Sequence, residues 1–235
     1  METTLLQLAA ALRTDGVEAV TFSFPVAKIQ TANTSQYGAM MDWSAQLEMF
    51  VGESDLNVVV GLAEFVTVRL GDEGVVNMLD SHSADAESFA PLFAGRWLAN
   101  HVEDQFEGAG GHVLILLNVE IAAPLRGHRL GAWLAAEVIY RMLPAGLVVL
   151  TPYPSEGDTD EMSVATLQAI ETLSQYWQTT IGVEPITGTN CLGQTAAYIH
   201  LDAARTNLQS VQDADITVTV AELEQSADRA RRFGE

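Results

Sequence analysis

The sequence predicts an α/β (α+β) fold, with strands and helices interleaved along the chain. Three observations predict it. Residues 113–140 read as a buried strand, a short turn and a helix. Glu18 to Phe24, Leu47 to Val51 and Asn57 to Leu70 read as strands. A helix that Ser163 can cap is followed by Leu192 to Leu201, which reads as a closing strand.

In chain order, residues 3–13 (Thr-Thr-Leu-Leu-Gln-Leu-Ala-Ala-Ala-Leu-Arg) read as a helix, and Glu18 to Phe24 alternates as a strand does. Within the third strand, Gly61 marks a bulge or bend. The pattern then changes. Ser83-Ala-Asp-Ala-Glu87 resembles a helix N-terminus, and Phe89, Leu92, Trp97, Leu98 and Val102 follow at amphipathic spacing, so a helix is expected over about residues 84 to 106. Core packing accounts for its apolar face; walling a substrate site or forming an oligomer contact are the alternatives.

The run from Val113 to Tyr140 carries the most information. Six of the seven residues up to Val119 are apolar, as in a strand covered on both faces, and Trp133, Leu134, Val138 and Ile139 recur at helical spacing. Between them lies Arg126-Gly-His-Arg-Leu-Gly-Ala132. A cationic, glycine-bearing turn that opens a helix offers unpaired backbone N–H groups and the positive end of the helix dipole to an anion such as phosphate. No Gly-Lys-Ser/Thr follows a strand, which argues against a nucleotide P-loop. The Gly108-Ala-Gly-Gly111 cluster precedes a strand where a dinucleotide fingerprint would follow one.

Downstream, Gly146 to Thr151 is a compact apolar strand, and Pro152 to Ser155 is rich in turn residues. After a polar loop, Leu167, Ile170, Leu173 and Trp177 place one apolar face of the Ser163 helix inward, and this helix ends near Gly182. Ile216 to Val220 can add an edge strand. Ala221 to Arg232 reads as a short amphipathic helix with its basic residues late, as the dipole prefers. That tail packs on the domain or mediates contact in a homodimer.

The Arg126 to Ala132 turn resembles the coenzyme A loop of the GNAT superfamily of N-acetyltransferases, whose pattern is Arg/Gln-x-x-Gly-x-Gly/Ala after a strand. Arg126 and Gly131 match, and Gly127 sits where a glycine is common. Arg129 stands where the family has its first glycine, so either the loop is wider or this guanidinium assists the pyrophosphate. The order strand, loop, helix, strand, helix, Gly182-Val-Glu-Pro185, strand resembles the C-terminal half of that family over roughly residues 112 to 203. The resemblance implies one domain over 1–235, with a divergent half to about 111 and a C-terminal extension from 204. It also implies a mixed, mostly antiparallel central sheet flanked by helices, with the 84–106 helix an addition before the cofactor strand.

The same resemblance implies the chemistry. Acetyl-CoA, or another acyl-CoA, is the cofactor. Val119, Glu120 and Ile121 present backbone to the pantetheine arm, and Arg126, Gly127, His128, Arg129, Leu130, Gly131 and Ala132 form the pyrophosphate cradle. Glu120 is the candidate to take the amine's proton, with a strand-edge carboxylate paired to a cation as its structural alternative; Glu64 is the second carboxylate. Tyr176 is the candidate acid for the departing thiolate, although Trp177 competes for the position and Val183 replaces the usual Phe. The implied function is acetyl transfer to an amine, either a small molecule or a protein amino group. The alternative is a non-catalytic module that binds an acyl-CoA or a protein.

Composition sets limits. A formal net charge of −20, with only 11 Lys and Arg in 235 residues, argues against nucleic acid as the general partner. Against that background, Arg126, His128 and Arg129 form a local positive site. No apolar run approaches the ~20 residues that span a bilayer, and no signal peptide is evident, so no membrane association and a cytoplasmic location are expected. Cys191 is the lone cysteine and is expected to be a buried thiol. Asp80, His82 and Asp85 match no metal-ligand spacing and no metal is expected; His101, His112 and His200 are scattered. There is no Gly-x-Ser-x-Gly elbow to support a hydrolase.

Overall fold

Long antiparallel strands, with continuous buried runs in the second and third, build a sheet from the first half of the chain. In the computed structural model, which describes residues 4–33, 39–52, 56–154, 163–196 and 198–227, helix α1 (Leu5–Thr14) is followed by strands β1 (Ala19–Asn33), β2 (Met40–Val51) and β3 (Asn57–Arg69). Thr4 and Gln7 close a capping box at the start of α1, satisfying two backbone donors there. Strand β1 runs well past its expected end at Phe24. Pro25 supplies no N–H, and the chain absorbs it in a register break between Ser23 and Val26, with Phe24 at φ 49°, before pairing resumes. Strand β2 likewise begins earlier than expected, because its first half pairs fully with β3 from Met40 onward.

A second group of elements crosses one face: α2 (Val75–His82), α3 (Ala84–Glu87), the short strands β4 (Phe93–Ala94) and β5 (Trp97–Leu98), and α4 (Asn100–Gln105). The continuous helix expected over 84 to 106 is therefore not formed. Pro91 enters a 3-10 turn at Ala90–Leu92, and Gly95 at φ 68° lets β4 turn back onto β5. The apolar spacing still had a cause: Phe89, Leu92, Leu98 and Val102 are all buried. Trp97, by contrast, is half exposed. Helix α2 occupies a stretch whose end, around Asp80, reads from sequence as loop.

Next come β6 (His112–Ile121), α5 (Leu130–Met142), β7 (Leu147–Leu150), α6 (Val164–Ile181), β8 (Glu184–Pro185), β9 (Leu192–Thr195), α7 (Tyr198–Gln212), β10 (Ile216–Thr219) and α8 (Val220–Ala227). The main sheet has the order β10-β1-β2-β3-β6-β7-β9-β8. Every neighbouring pair is antiparallel except β6 with β7. The fold is thus α/β (α+β), a mixed, mostly antiparallel sheet flanked by helices.

Two expectations in this half change. The closing strand stops at Thr195 rather than Leu201, and the chain is helical from Tyr198. Its partner β7 has only four residues, paired Leu147 to Thr195 through Leu150 to Leu192, so no ladder is left for a longer strand. In α6, Ser163 caps the first turn as expected, but only Trp177 and Ile181 are buried and Leu167 is about half exposed. The short β7 leaves the early turns of this helix with little sheet to cover.

Two apolar cores fill the two faces. Leu114, Leu116, Val148 and Leu150 face α5, α7 and α1, with Leu134 and Ile139 of α5 among them. Val113, Ile115, Leu147 and Val149 face the α2 to α4 segment. At the sheet edge, β10 pairs with β1 as the sequence suggests, and α8 packs on α1 through buried Leu223 and the Arg13–Glu224 ion pair at 3.0 Å. The last residues of the expected C-terminal helix, from 228, lie outside the described residues.

Candidate functional site

The site begins where two parallel strands part. β6 and β7 are paired only from Val113–Leu147 to Leu116–Leu150, after which β7 ends and β6 continues to Ile121. Just past that point β6 bulges: Phe65 of β3 faces Leu116 while Glu64 faces Asn118, leaving Leu117 as the extra residue. A cleft of about 440 Å³ opens between the diverging strands. Its walls are the end of β6 (Leu116 to Ile121), the turn and first residues of α5, the β7 exit (Leu150 to Pro154 without Pro152) and Thr172, Leu173, Tyr176 and Trp177 of α6.

The turn between β6 and α5 is held from below. The Ala122 N–H donates to the Val60 carbonyl at 2.8 Å, and the Arg126 side chain donates from Nε to the Ile121 carbonyl at 2.9 Å. Val60 is free to bend that way because β3 bulges there, beside Gly61. A Cβ on Gly61 would lie 2.5 Å from the Ile121 side chain and 2.9 Å from the Glu120 carbonyl oxygen. Gly61, read from sequence as a bulge or bend, is thus needed for the close approach of β3 to the end of β6.

Past Arg126 the chain turns through two left-handed residues, Gly127 at φ 85° and Arg129 at φ 60°, ψ 15°. Arg129 thereby holds the backbone conformation that glycine adopts without strain. It is also the residue preceding α5, and no side chain caps that helix. The first N–H groups of an uncapped helix have no partner within the helix and concentrate its positive dipole. Here they open onto the cleft, because Arg129, Leu130 and Gly131 all line it.

One of those amides already donates to an oxygen. The Ala132 N–H donates to the Tyr176 hydroxyl oxygen at 3.0 Å. Tyr176 comes from α6, and its ring meets Trp177 edge-on at 5.0 Å between centroids. Burial raises the Tyr176 pKa above the ordinary phenol value; the Ala132 N–H and the Arg129 charge oppose that rise without cancelling it. The phenol therefore keeps its proton at neutral pH, as a proton donor must.

The carboxylates lie on the other side of β6. Glu120 lines the cleft, is only 8% exposed, and has neither hydrogen bond nor ion pair with a described residue. A buried carboxylate without a partner is costly, and such groups collect where a ligand supplies the missing contact. Glu64 is exposed and accepts from Asn118 Nδ2 at 3.4 Å. It does not line the cleft.

Of the residues expected from sequence, Val119, Glu120, Ile121, Arg126, Gly127, Arg129, Leu130, Gly131 and Tyr176 line one cleft. Ala132 reaches it through its N–H to Tyr176, while His128 is exposed and stands outside the lining. Sequence reasoning missed Leu117, Asn118, Thr151, Tyr153 and Thr172. The apolar run through Leu117 signalled a strand but could not show its bulge, and Tyr153 sits in a turn with no periodicity to read.

Other candidates resolve differently. His82 Nε2 pairs with Asp42 Oδ1 at 2.9 Å, and among the described residues no three His, Cys, Asp or Glu side chains gather as a metal would require. Cys191 is buried, and burial raises its thiol pKa against the lowering effect of Thr189, which keeps it a poor nucleophile. Among the described residues no helix is long and apolar enough to cross a membrane.

No family model matches the sequence, and no curated protein matches it. Among solved structures, a crystal structure of a mutant of KacT aligns with a TM-score of 0.37 and 7% identity, over 74% of this chain and 96% of that chain. A likeness at that level carries no argument about this protein's site, and the geometry above stands by itself.

Proposed function

We propose that the chain is an acyl-CoA-dependent N-acyltransferase of GNAT-like architecture, moving an acetyl group to an amine. The observation that carries this reading is the uncapped N-terminus of α5 opening onto the cleft between β6 and β7, with one of its amides already bonded to a phenol oxygen. An amide that donates to the Tyr176 oxygen marks a place where its neighbours in the same turn can donate to a phosphate oxygen. The volume is that of an ordinary small-ligand cleft, and its walls are mainly apolar, with Leu116, Leu117, Val119, Leu130, Leu150 and Leu173 suited to a flexible, uncharged arm.

Acyl-CoA supplies the activated thioester when bound. Transfer forms an N–C bond and breaks the C–S bond; an acceptor that arrives as an ammonium first loses one proton to become the nucleophile, its nitrogen loses a second on transfer, the departing sulfur gains one, and one proton leaves to solvent. The Arg129 charge and the α5 amides hold the pyrophosphate, and the free stretch of β6 after the bulge offers backbone groups to the pantetheine amides. Glu120 receives the acceptor's proton directly or through water. Tyr176, bonded at the α5 amide beside the pyrophosphate cradle, lies a pantetheine arm away from the sulfur, so the proton that sulfur gains is delivered through water.

The non-catalytic alternative, a module that binds acyl-CoA or a protein, draws support from Tyr176 itself, whose hydroxyl is engaged at Ala132. Calorimetry with acetyl-CoA and desulfo-CoA tests the shared part of both readings. Binding at about micromolar affinity, weakened at least tenfold by Arg129→Ala and by Arg126→Ala, is expected. Absence of binding at millimolar ligand overturns the acyltransferase and the acyl-CoA-binding module alike and leaves the protein-binding module. A single-turnover assay with a panel of amines then separates enzyme from binding module.

A further inference from the structure

Resting on the acyltransferase reading, we propose that the acceptor is an aliphatic diamine or longer polyamine, held as a dication by Glu120 and Glu64. Strand alternation puts Glu64 on the same side of β3 as Val66 and Val68, and on β6 Asn118 and Glu120 continue that side beyond the bulge. The α2 to α4 segment covers Val66, Val68, Val113 and Ile115, but Glu64 remains exposed. The covered part of the face stops one strand step short of the carboxylates.

Glu120 pairs in register with Leu62, and Glu64 lies two residues further along β3. The two carboxylates are thus diagonal neighbours, a relation that separates such residues by about 7–8 Å. Two anions that close repel; Lys28, three strands away in the same row, is already paired with buried Glu48, and Arg126, which lines the same cleft, has its Nε engaged at the Ile121 carbonyl. Glu120, nine-tenths buried in the cleft wall and without a partner, is the independent sign that a cation belongs there. Glu120 stands on the free stretch of β6, four residues past Leu116, the last residue paired with β7, and sets the reactive amine there. Glu64, at the surface, takes a second ammonium one short alkyl chain away. A monoamine satisfies Glu120 alone.

Calorimetry on the full chain with 1,4-diaminobutane and 1-aminobutane as probes decides the matter, with and without saturating desulfo-CoA. A preference for the diamine of up to about fivefold is expected, corresponding to one additional exposed ion pair. Glu64→Gln should abolish the preference while leaving monoamine binding in place, and Glu120→Gln should weaken both amines. Circular dichroism melting of each variant establishes that it is folded. Equal affinity for the two amines, or a preference that survives Glu64→Gln, overturns the proposal. If desulfo-CoA binds and the amines are not distinguished, the acyltransferase reading stands and the acceptor assignment falls. If the diamine is preferred while desulfo-CoA does not bind, the dication site stands and the acyltransferase reading falls.

Discussion

The Tyr176 hydroxyl accepts a hydrogen bond from the Ala132 N–H at 3.0 Å, tying α6 to the first turn of α5 across 44 residues of sequence. The same oxygen therefore serves the fold and stands at the mouth of the proposed anion site. Tyr176→Phe removes this bond, at a cost to stability of about 1 kcal/mol, and frees the amide. Desulfo-CoA affinity should be unchanged or higher in the variant. Loss of affinity would instead show that the hydroxyl holds the ligand.

The raised Tyr176 pKa also sets a pH dependence. Because the folded state holds the phenolic proton more tightly than the unfolded chain, the associated stability is fully present below the ordinary phenol value of 10.0 and is lost as pH rises through the higher folded value. Melting temperature measured from pH 9 upward should fall more steeply for the native chain than for Tyr176→Phe. Parallel curves would assign no such role to this phenol.

Arg129 combines a strained backbone with a useful charge. Arg129→Gly and Arg129→Ala remove the guanidinium equally, but only glycine relieves the left-handed conformation. The glycine variant should be more stable than the alanine variant by about 1 kcal/mol in urea melts, with equal loss of coenzyme affinity. Unequal affinities would mean that the turn's shape, rather than the charge, governs binding.

Gly131 has room for a methyl group. An added Cβ would sit 3.6 to 3.7 Å from Ile121, Val119 and the Tyr176 hydroxyl, all ordinary contact distances. Gly131→Ala should therefore stabilise α5, by up to about 1 kcal/mol from helix propensity, with modest effect on binding. Gly131→Leu fills the cleft and should abolish desulfo-CoA binding while leaving a cooperative thermal transition. Unchanged affinity in the leucine variant would remove the ligand from this cleft.

Glu137 of α5 is buried between two cations, Arg141 at 2.8 Å and Arg205 at 3.2 Å, and Arg205 also lies over the Tyr140 ring at 3.8 Å. Both guanidiniums keep substantial contact with water, so the loss is smaller than for a wholly buried pair. Glu137→Ala should cost about 2 kcal/mol by denaturant unfolding, and coenzyme binding should persist once the chain is folded.

The sequence by itself determined the elements whose causes are local. The strand, cationic turn and helix over residues 113 to 142 are contiguous, so their apolar periods and turn residues identify all three, though not the bulge at Leu117. Ser163 as a cap and Gly61 at a bulge are visible for the same reason: the backbone constraint and the residue that meets it lie together. Tertiary structure decided everything that depends on where partners run out. β9 stops at Thr195 because β7 is short, and the expected 84–106 helix divides around Pro91 and Gly95 while keeping its apolar residues buried against the sheet. The cleft exists because β6 outlasts β7, and Glu120 is isolated because folding buries it in that cleft wall. Pairing lengths and the isolation of Glu120 arise from residues far apart in the chain, and no local pattern encodes them.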